Sequence, residues 1–332
     1  MEDSYKVATG PAAVVSDAPK QAGLPQVTDA AKQDNPPRLN FGDRFGVLLA
    51  LLTVYIIWGS TYLGIRFAVQ GGFPPFMMAG LRFTIAGVAL YLILRARGIA
   101  NPARLEWRNA AIIGAFLLLG GNGGVTFAEQ WVASGLAALA VATVPLWAAL
   151  FAGLWGRWPS RFEWLGITLG LVGIALLNLN SDMTANGLGA LVLVVAPISW
   201  AFGTVFSRRL AMPKGLMASA LEMIGGGVLL LFASLLLGEH FNQPPTSSSL
   251  WAFAYLTIFG SLLAFSAYDY LLRRARPTLI TSYAYVNPPV AVLLGAIMAG
   301  EQLTPIGLLA MFIILGGVVL IALKPRPPAI AE

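Results

Sequence analysis

The 332-residue chain has no cysteine and a single histidine, His240. Those absences exclude thiolate chemistry, disulfides, thiolate or histidine ligation of haem, and Cys/His zinc sites, so no metal or cofactor is expected. Charge is scarce as well. Only 11% of residues are Asp, Glu, Lys or Arg, where soluble domains carry about a quarter. With 57% hydrophobic residues and a mean hydropathy of +0.74, the chain reads as an integral membrane protein. No GxxxxGK[ST] string occurs, so no Walker-type nucleotide site is present. Within the apolar segments Asp269 is the sole Asp, and no His is available to a serine there; an intramembrane hydrolase lacks its usual parts.

What is present is a series of ten apolar segments, at approximately 44–65, 75–95, 107–128, 135–156, 162–180, 188–207, 216–237, 250–272, 278–298 and 304–323. Each is about twenty residues, long enough at ~1.5 Å per residue to cross a ~30 Å hydrocarbon core. The basic residues sort by side. Nineteen of the 21 Lys and Arg fall before segment 1, after segment 10, or around the loops that follow segments 2, 4, 6 and 8. The other loops, around Gln70, Gln130, Asp182, His240 and Glu301, hold only Arg66, and Arg82 lies within segment 2. Because cytoplasmic loops carry the Lys/Arg excess, both termini are expected in the cytoplasm. The net charge of +6 then faces anionic lipid headgroups, and no nucleic-acid partner is implied.

Residues 1–40 are rich in Ala, Pro, Gln, Asp and Lys and have no long apolar run. They read as a disordered cytoplasmic tail without a signal peptide. Residues 41–181 and 187–324 then form two five-helix repeats, and 325–332 a cytoplasmic C-terminal tail. Trp200 follows Trp58, and Arg208 follows Arg66, by 142 residues; Pro288 follows Pro145, and Gly316 follows Gly173, by 143. An odd number of crossings per repeat turns the second copy upside down, the inverted arrangement of secondary transporters whose substrate sits between the halves.

The strings WGSTYLGIRF, MMAGLRFTIAG, ATVPLWAAL, SWAFGTVFSRRL and TSYAYVNPPVAVLLG resemble the EamA-type branch of the drug/metabolite transporter superfamily, and in particular bacterial inner-membrane metabolite or drug exporters. The resemblance spans about residues 41–324. It implies an all-α protein of ten transmembrane helices in two inverted EamA repeats. Its expected activity is export of small amphipathic, amino-acid-like metabolites or drugs by alternating access. A passive channel or lipid scramblase is the alternative. The expected partners are a small-molecule substrate, membrane lipids and a coupled proton, and no enzymatic activity is implied.

Charges and helix breakers at membrane depth are the candidate site residues, since both are costly in hydrocarbon. Arg82 could anchor a carboxylate or phosphate, and Glu222, placed equivalently in the second repeat, could carry a proton. The plainer reading is an ion pair that orients helices. Asp269 reads as an i,i+4 partner of Arg273, and Glu129 and Glu301 as solvated residues at headgroup level. Pro145 is expected to interrupt helix 4 and Pro288 with Pro289 helix 9, while Gly120-Gly121-Asn122-Gly123-Gly124 loosens helix 3; matching breaks point to a cavity wall. Tyr283 and Asn287 share a face beside the second break. Trp58 and Trp200 are deep enough to reach the same cavity. Trp107, Trp131, Trp155, Trp158, Trp164 and Trp251 fall at segment ends as an aromatic belt. Gly166, Gly170 and Gly173 read as a helix-packing stripe.

Overall fold

The computed structural model describes residues 41–154, 156, 158–179, 187–275, 283–302 and 304–322; both expected tails lie outside them. The described residues form ten helical elements and no strand. They are α1 (Phe41–Gln70), α2 (Pro75–Ala96), α3 (Arg104–Ala128), α4 (Ser134–Gly153), α5 (Arg161–Leu179), α6 (Gly187–Ser207), α7 (Leu216–Leu236), α8 (residues 247–274), α9 (Tyr283–Ala299) and α10 (Pro305–Ala322). Seven of them, α1 to α4 and α6 to α8, are long and apolar enough to cross a membrane. The other three contain shorter apolar stretches, Trp164–Gly173, Val286–Ala299 and Pro305–Gly317. Lipid-facing side chains are large and apolar, such as Phe232, Leu235 and Ile297, and Trp131, Trp158, Trp164 and Trp251 stand exposed near helix ends.

Local chemistry fixes the helix ends. Pro74 is extended and Pro75 opens α2, where its missing N–H is no loss. The Glu239 carboxylate accepts from the backbone N–H of Phe76 at 3.1 Å and of Met77 at 2.8 Å, so an anion from the α7–α8 loop caps the positive end of α2. Thr246 caps α8 by accepting from Ser249 N–H at 3.3 Å.

Packing follows a pseudo-twofold scheme. α2 lies along α7 and α5 along α10, while α1 packs on α8 and α9 just as α6 packs on α3 and α4. Small residues permit the close pairs. A Cβ on Gly317 of α10 would lie 2.6 Å from the Gly166 carbonyl oxygen, and one on Gly173 would meet Ile314, so the glycine stripe of α5 does face a helix.

The helix breakers behave differently from expectation. α4 does divide, into Ser134–Val141 and Val144–Gly153, with Pro145 in the first turn of the second piece. α9 does not break: it runs through Pro288 and Pro289 without interruption. In the orientation of the Asn287 amide that satisfies its surroundings, its nitrogen donates to the Tyr283 carbonyl at 3.2 Å and to the Tyr55 carbonyl of α1 at 3.3 Å. The amide thus ties α9 to the α1 backbone beside the prolines, and α1 braces the helix. α3 is also unbroken; its glycine run belongs to a π-helical stretch, Ala115–Gly123. α8 holds a second π-helical stretch, Leu256–Leu263, at the corresponding place in the other repeat.

Candidate functional site

The π-helical turns face the centre of the bundle, and the first helix of each repeat lies against one of them. Ser199 on α6 donates to the Phe116 carbonyl at 2.8 Å, and a Cβ on Gly121 would press on the Trp200 ring. Trp58 on α1 donates through Nε1 to the Gly260 carbonyl at 3.3 Å. Carbonyls loosened by the wider turns find partners from the opposite repeat, as backbone groups in hydrocarbon must.

Between these contacts lies a cavity whose empty space, open solvent at its mouth included, is about 890 Å³. α1 contributes Trp58, Thr61, Tyr62 and Ile65; α2, Arg82 and Phe83; α3, Gly121, Asn122 and Val125. The second repeat adds Pro197 and Trp200 from α6, Phe265 from α8, and Tyr283, Asn287 and Pro288 from α9. Of the candidates named from the sequence, Trp58, Arg82, Asn122, Trp200, Tyr283, Asn287 and Pro288 therefore share one wall system. Pro145 is one residue beyond the lining residue Val144, and Glu222 is elsewhere on α7. Thr61, Tyr62, Pro197 and Phe265 carried no signal in the sequence, because hydroxyls, aromatics and prolines are ordinary in membrane helices.

Arg82 is the one charged residue of this lining. It is 2% exposed. Its Nε donates to Ser261 Oγ in the π turn of α8 at 2.9 Å, its guanidinium lies 4.5 Å from the Phe83 ring centroid, and its Nη1 has no hydrogen-bond partner. A guanidinium so held presents a preorganised donor to an anionic group. No ion pair joins it to Glu222. At one end of the cavity wall, Trp58 packs edge-on against Phe265 and Tyr283 at 5.5 and 5.2 Å between centroids.

At the other end, where α1 finishes, Arg66 pairs with Glu301. Glu301 also accepts from Ser134 N–H at 2.9 Å, Ser134 Oγ at 2.7 Å and Gly135 N–H at 3.2 Å, tying α1, α4 and the α9–α10 connection together. This corrects the expectation of solvated carboxylates: the Glu301 side chain is 7% exposed and Glu129 is fully buried. The outer-loop position suggested water, but the helix ends converge over both groups. Asp269 is buried too; its expected partner Arg273 has a side chain outside the described set.

Burial would raise the Glu301 carboxyl, but the Ser134 hydroxyl and N–H, the Gly135 N–H and Arg66 together outweigh it and hold the group below the usual carboxylate range. A depressed value means that the clasp contributes stability above the unfolded-state pKa of about 4.3 and loses it as pH falls through the lower folded value. Glu301→Gln is therefore expected to melt lower than the parent at neutral pH, by about 1–3 kcal/mol, with the two curves converging in strong acid. Parallel curves across the acid range would show that the clasp does not titrate as described.

Two helical repeats around a central, largely apolar cavity with one buried arginine are an arrangement that membrane transporters use. The EamA-like transporter family model matches this chain twice, over residues 44–179 and 187–323. The chain belongs to that family and is a membrane transporter. It is 48% identical to the "Uncharacterized inner membrane transporter YedA" of Escherichia coli K12, covering 86% of this chain and 94% of that protein. It is 25% identical to the "Probable terminal-alkyne amino-acid exporter" of Streptantibioticus cattleyicolor, covering 82% and 92% respectively. A solved crystal structure aligns with a TM-score of 0.60 at 23% identity, over 83% of this chain and 96% of that one; at that identity the likeness concerns the fold.

Proposed function

We propose that the protein is a secondary exporter that moves small amphipathic, amino-acid-like metabolites or drugs across a bacterial inner membrane by alternating access, with both termini in the cytoplasm. The observation that carries this reading is Arg82: a buried guanidinium with an orphaned Nη1 on the wall of an otherwise apolar and aromatic cavity. A carboxylate on the substrate would take the guanidinium, and its apolar portion would lie against Trp58, Phe83, Trp200 and Tyr283. The name of the Streptantibioticus relative, an amino-acid exporter, fits that chemistry. The clasp of Arg66 with Glu301 and Ser134 would close the periplasmic side, leaving the cytoplasmic side to admit substrate.

The orientation has a direct test, since the chain has no native cysteine. An impermeant thiol reagent applied to intact cells should label Gln70→Cys and Gln243→Cys, and should reach Asn101→Cys and Lys214→Cys only after permeabilisation. The opposite pattern would reverse the topology. For the activity, comparing metabolites inside and outside cells with and without the protein should yield an amphipathic anion or zwitterion as substrate. In liposomes that substrate should undergo saturable counterflow; flux without counterflow would favour a channel or scramblase.

A further inference from the structure

Glu129 is a charge without a structural use. It follows the last residue of α3, one turn beyond Val125 and two beyond Asn122, both of which line the cavity. It is 0% exposed, and neither carboxylate oxygen makes a well-formed hydrogen bond, the Arg66 backbone being the one weak donor beside it. Glu301, nearby, accepts three hydrogen bonds in addition to its ion pair. A fully buried carboxylate so short of donors costs several kcal/mol to keep ionised, unless a cation or a proton neutralises it.

The groups that act electrostatically on Glu129 are few. Tyr62 and Arg66 come from α1, Arg82 from α2 and Glu301 from the α9–α10 connection. α4 and α6 pack against the same end of α3, through Ala137, Ala140 and Leu193, and carry no ionisable residue along their spans. Of the two cations, Arg66 is engaged by Glu301 and Arg82 is tethered through Nε to Ser261. Neither forms an ion pair with Glu129, although both are close enough to bias its charge. Glu129 thus stands between the residue that would hold the substrate and the clasp that closes one end of the cavity.

We propose that Glu129 is the proton-binding residue of the transport cycle, and that its charge decides whether Arg66 stays with Glu301. The inference rests on the reading of the protein as an alternating-access exporter. With a proton bound, Glu129 is neutral and makes no claim on either arginine; Arg66 stays in the clasp, as in this structure, and that end is closed. Loss of the proton creates a buried anion that draws Arg66 away from Glu301, releasing α1 from α4 and opening the same end. In the proposed orientation a proton arriving from the periplasm closes the periplasmic side, and its release to the cytoplasm precedes outward movement of substrate. One proton enters for each outward passage. Glu222, half-buried on α7 and off the cavity wall, is not needed for this step.

The test needs no substrate. In full-length protein reconstituted into lipid vesicles, a cysteine placed in the cavity wall by Val141→Cys is labelled with an impermeant maleimide from the Arg66 end at mildly acidic and mildly alkaline pH. Divided at each pH by the rate for the same cysteine in the denatured protein, which removes the thiolate's own pH dependence, labelling should be faster at alkaline pH by about tenfold, the scale of ordinary coupling between sites. Adding Glu129→Gln should hold that normalised rate at its slow, acidic value throughout, while Glu222→Gln keeps the parent's profile. One component of the infrared band of protonated carboxylic acids should titrate over the same pH range in the parent and be missing in Glu129→Gln, while remaining in Glu222→Gln. If that variant is not recovered folded, Glu129→Asp decides: a shifted midpoint supports the assignment, and an unmoved midpoint overturns it. A pH profile in Glu129→Gln equal to the parent's, or a parent that does not respond to pH, overturns it as well while leaving the exporter reading standing. Labelling from both faces at once at every pH would instead remove the alternating-access reading, and this proposal with it.

Discussion

Arg82→Ala is expected to lower transport by roughly ten- to a hundredfold without unfolding the protein. The first half follows from chemistry: a hydrogen bond to a charged group contributes about 1.5–3 kcal/mol, and the buried guanidinium is the cavity's one cation. The second half follows from its incomplete satisfaction. One nitrogen is orphaned and the whole group is buried, so its removal relieves a desolvation cost rather than leaving a countercharge in contact without its mate. Arg82→Lys should be nearly as defective, because an ammonium cannot keep both the tether to Ser261 and a free donor in the planar fork. Ser261→Ala, which loosens the tether only, should fall between. Transport rates in vesicles and melting curves in detergent measure the two halves separately. Full transport in Arg82→Ala would remove the anion-anchor role; loss of the folded protein would make Arg82 a structural residue.

A larger effect on folding is expected at the contact between α2 and α7. A Cβ on Gly87 would sit 2.8 Å from the Ile224 nitrogen and 2.9 Å from the Ala220 oxygen, and one on Gly227 would sit 2.7 Å from the Thr84 nitrogen. These neighbours are backbone atoms and cannot rotate away. Gly87→Leu must push the helices apart along the seam between the repeats, which should cost about 3 kcal/mol or more and leave little folded protein in the membrane. Gly316→Leu is the control, since a Cβ there meets nothing within 4 Å. Equal yields of the two variants, by size-exclusion profile, would mean that the seam is softer than its spacing implies.

The spans were legible in the sequence because length and apolarity in hydrocarbon leave little choice. Segment 107–128 appears as Arg104–Ala128, and segment 188–207 as Gly187–Ser207. The centre was partly legible for the same reason: Arg82, Trp58 and Trp200 are conspicuous at membrane depth. What failed was the inference from residue type to backbone. Pro288 and Pro289 do not break α9, since packing against α1, with the Asn287 amide bonded to the Tyr55 carbonyl, holds the helix through them. The π turn of α8 has no composition to announce it, as Leu256–Leu263 reads LTIFGSLL. Glu129 reads as solvated from its distance along the chain, which puts it at a helix end, whereas its burial depends on how neighbouring helices pack around it.

The two wide turns bear on how the molecule arose. A turn of this kind holds one residue more than an α-helix would in the same length, and here it occurs once in each repeat, at corresponding sites in Ala115–Gly123 and Leu256–Leu263. Two unrelated insertions would have no reason to fall at the same depth of the same helix. The shared position is what duplication of one five-helix chain carrying the extra residue would leave, and in the joined chain it sets a tryptophan of each repeat against the loosened turn of the other.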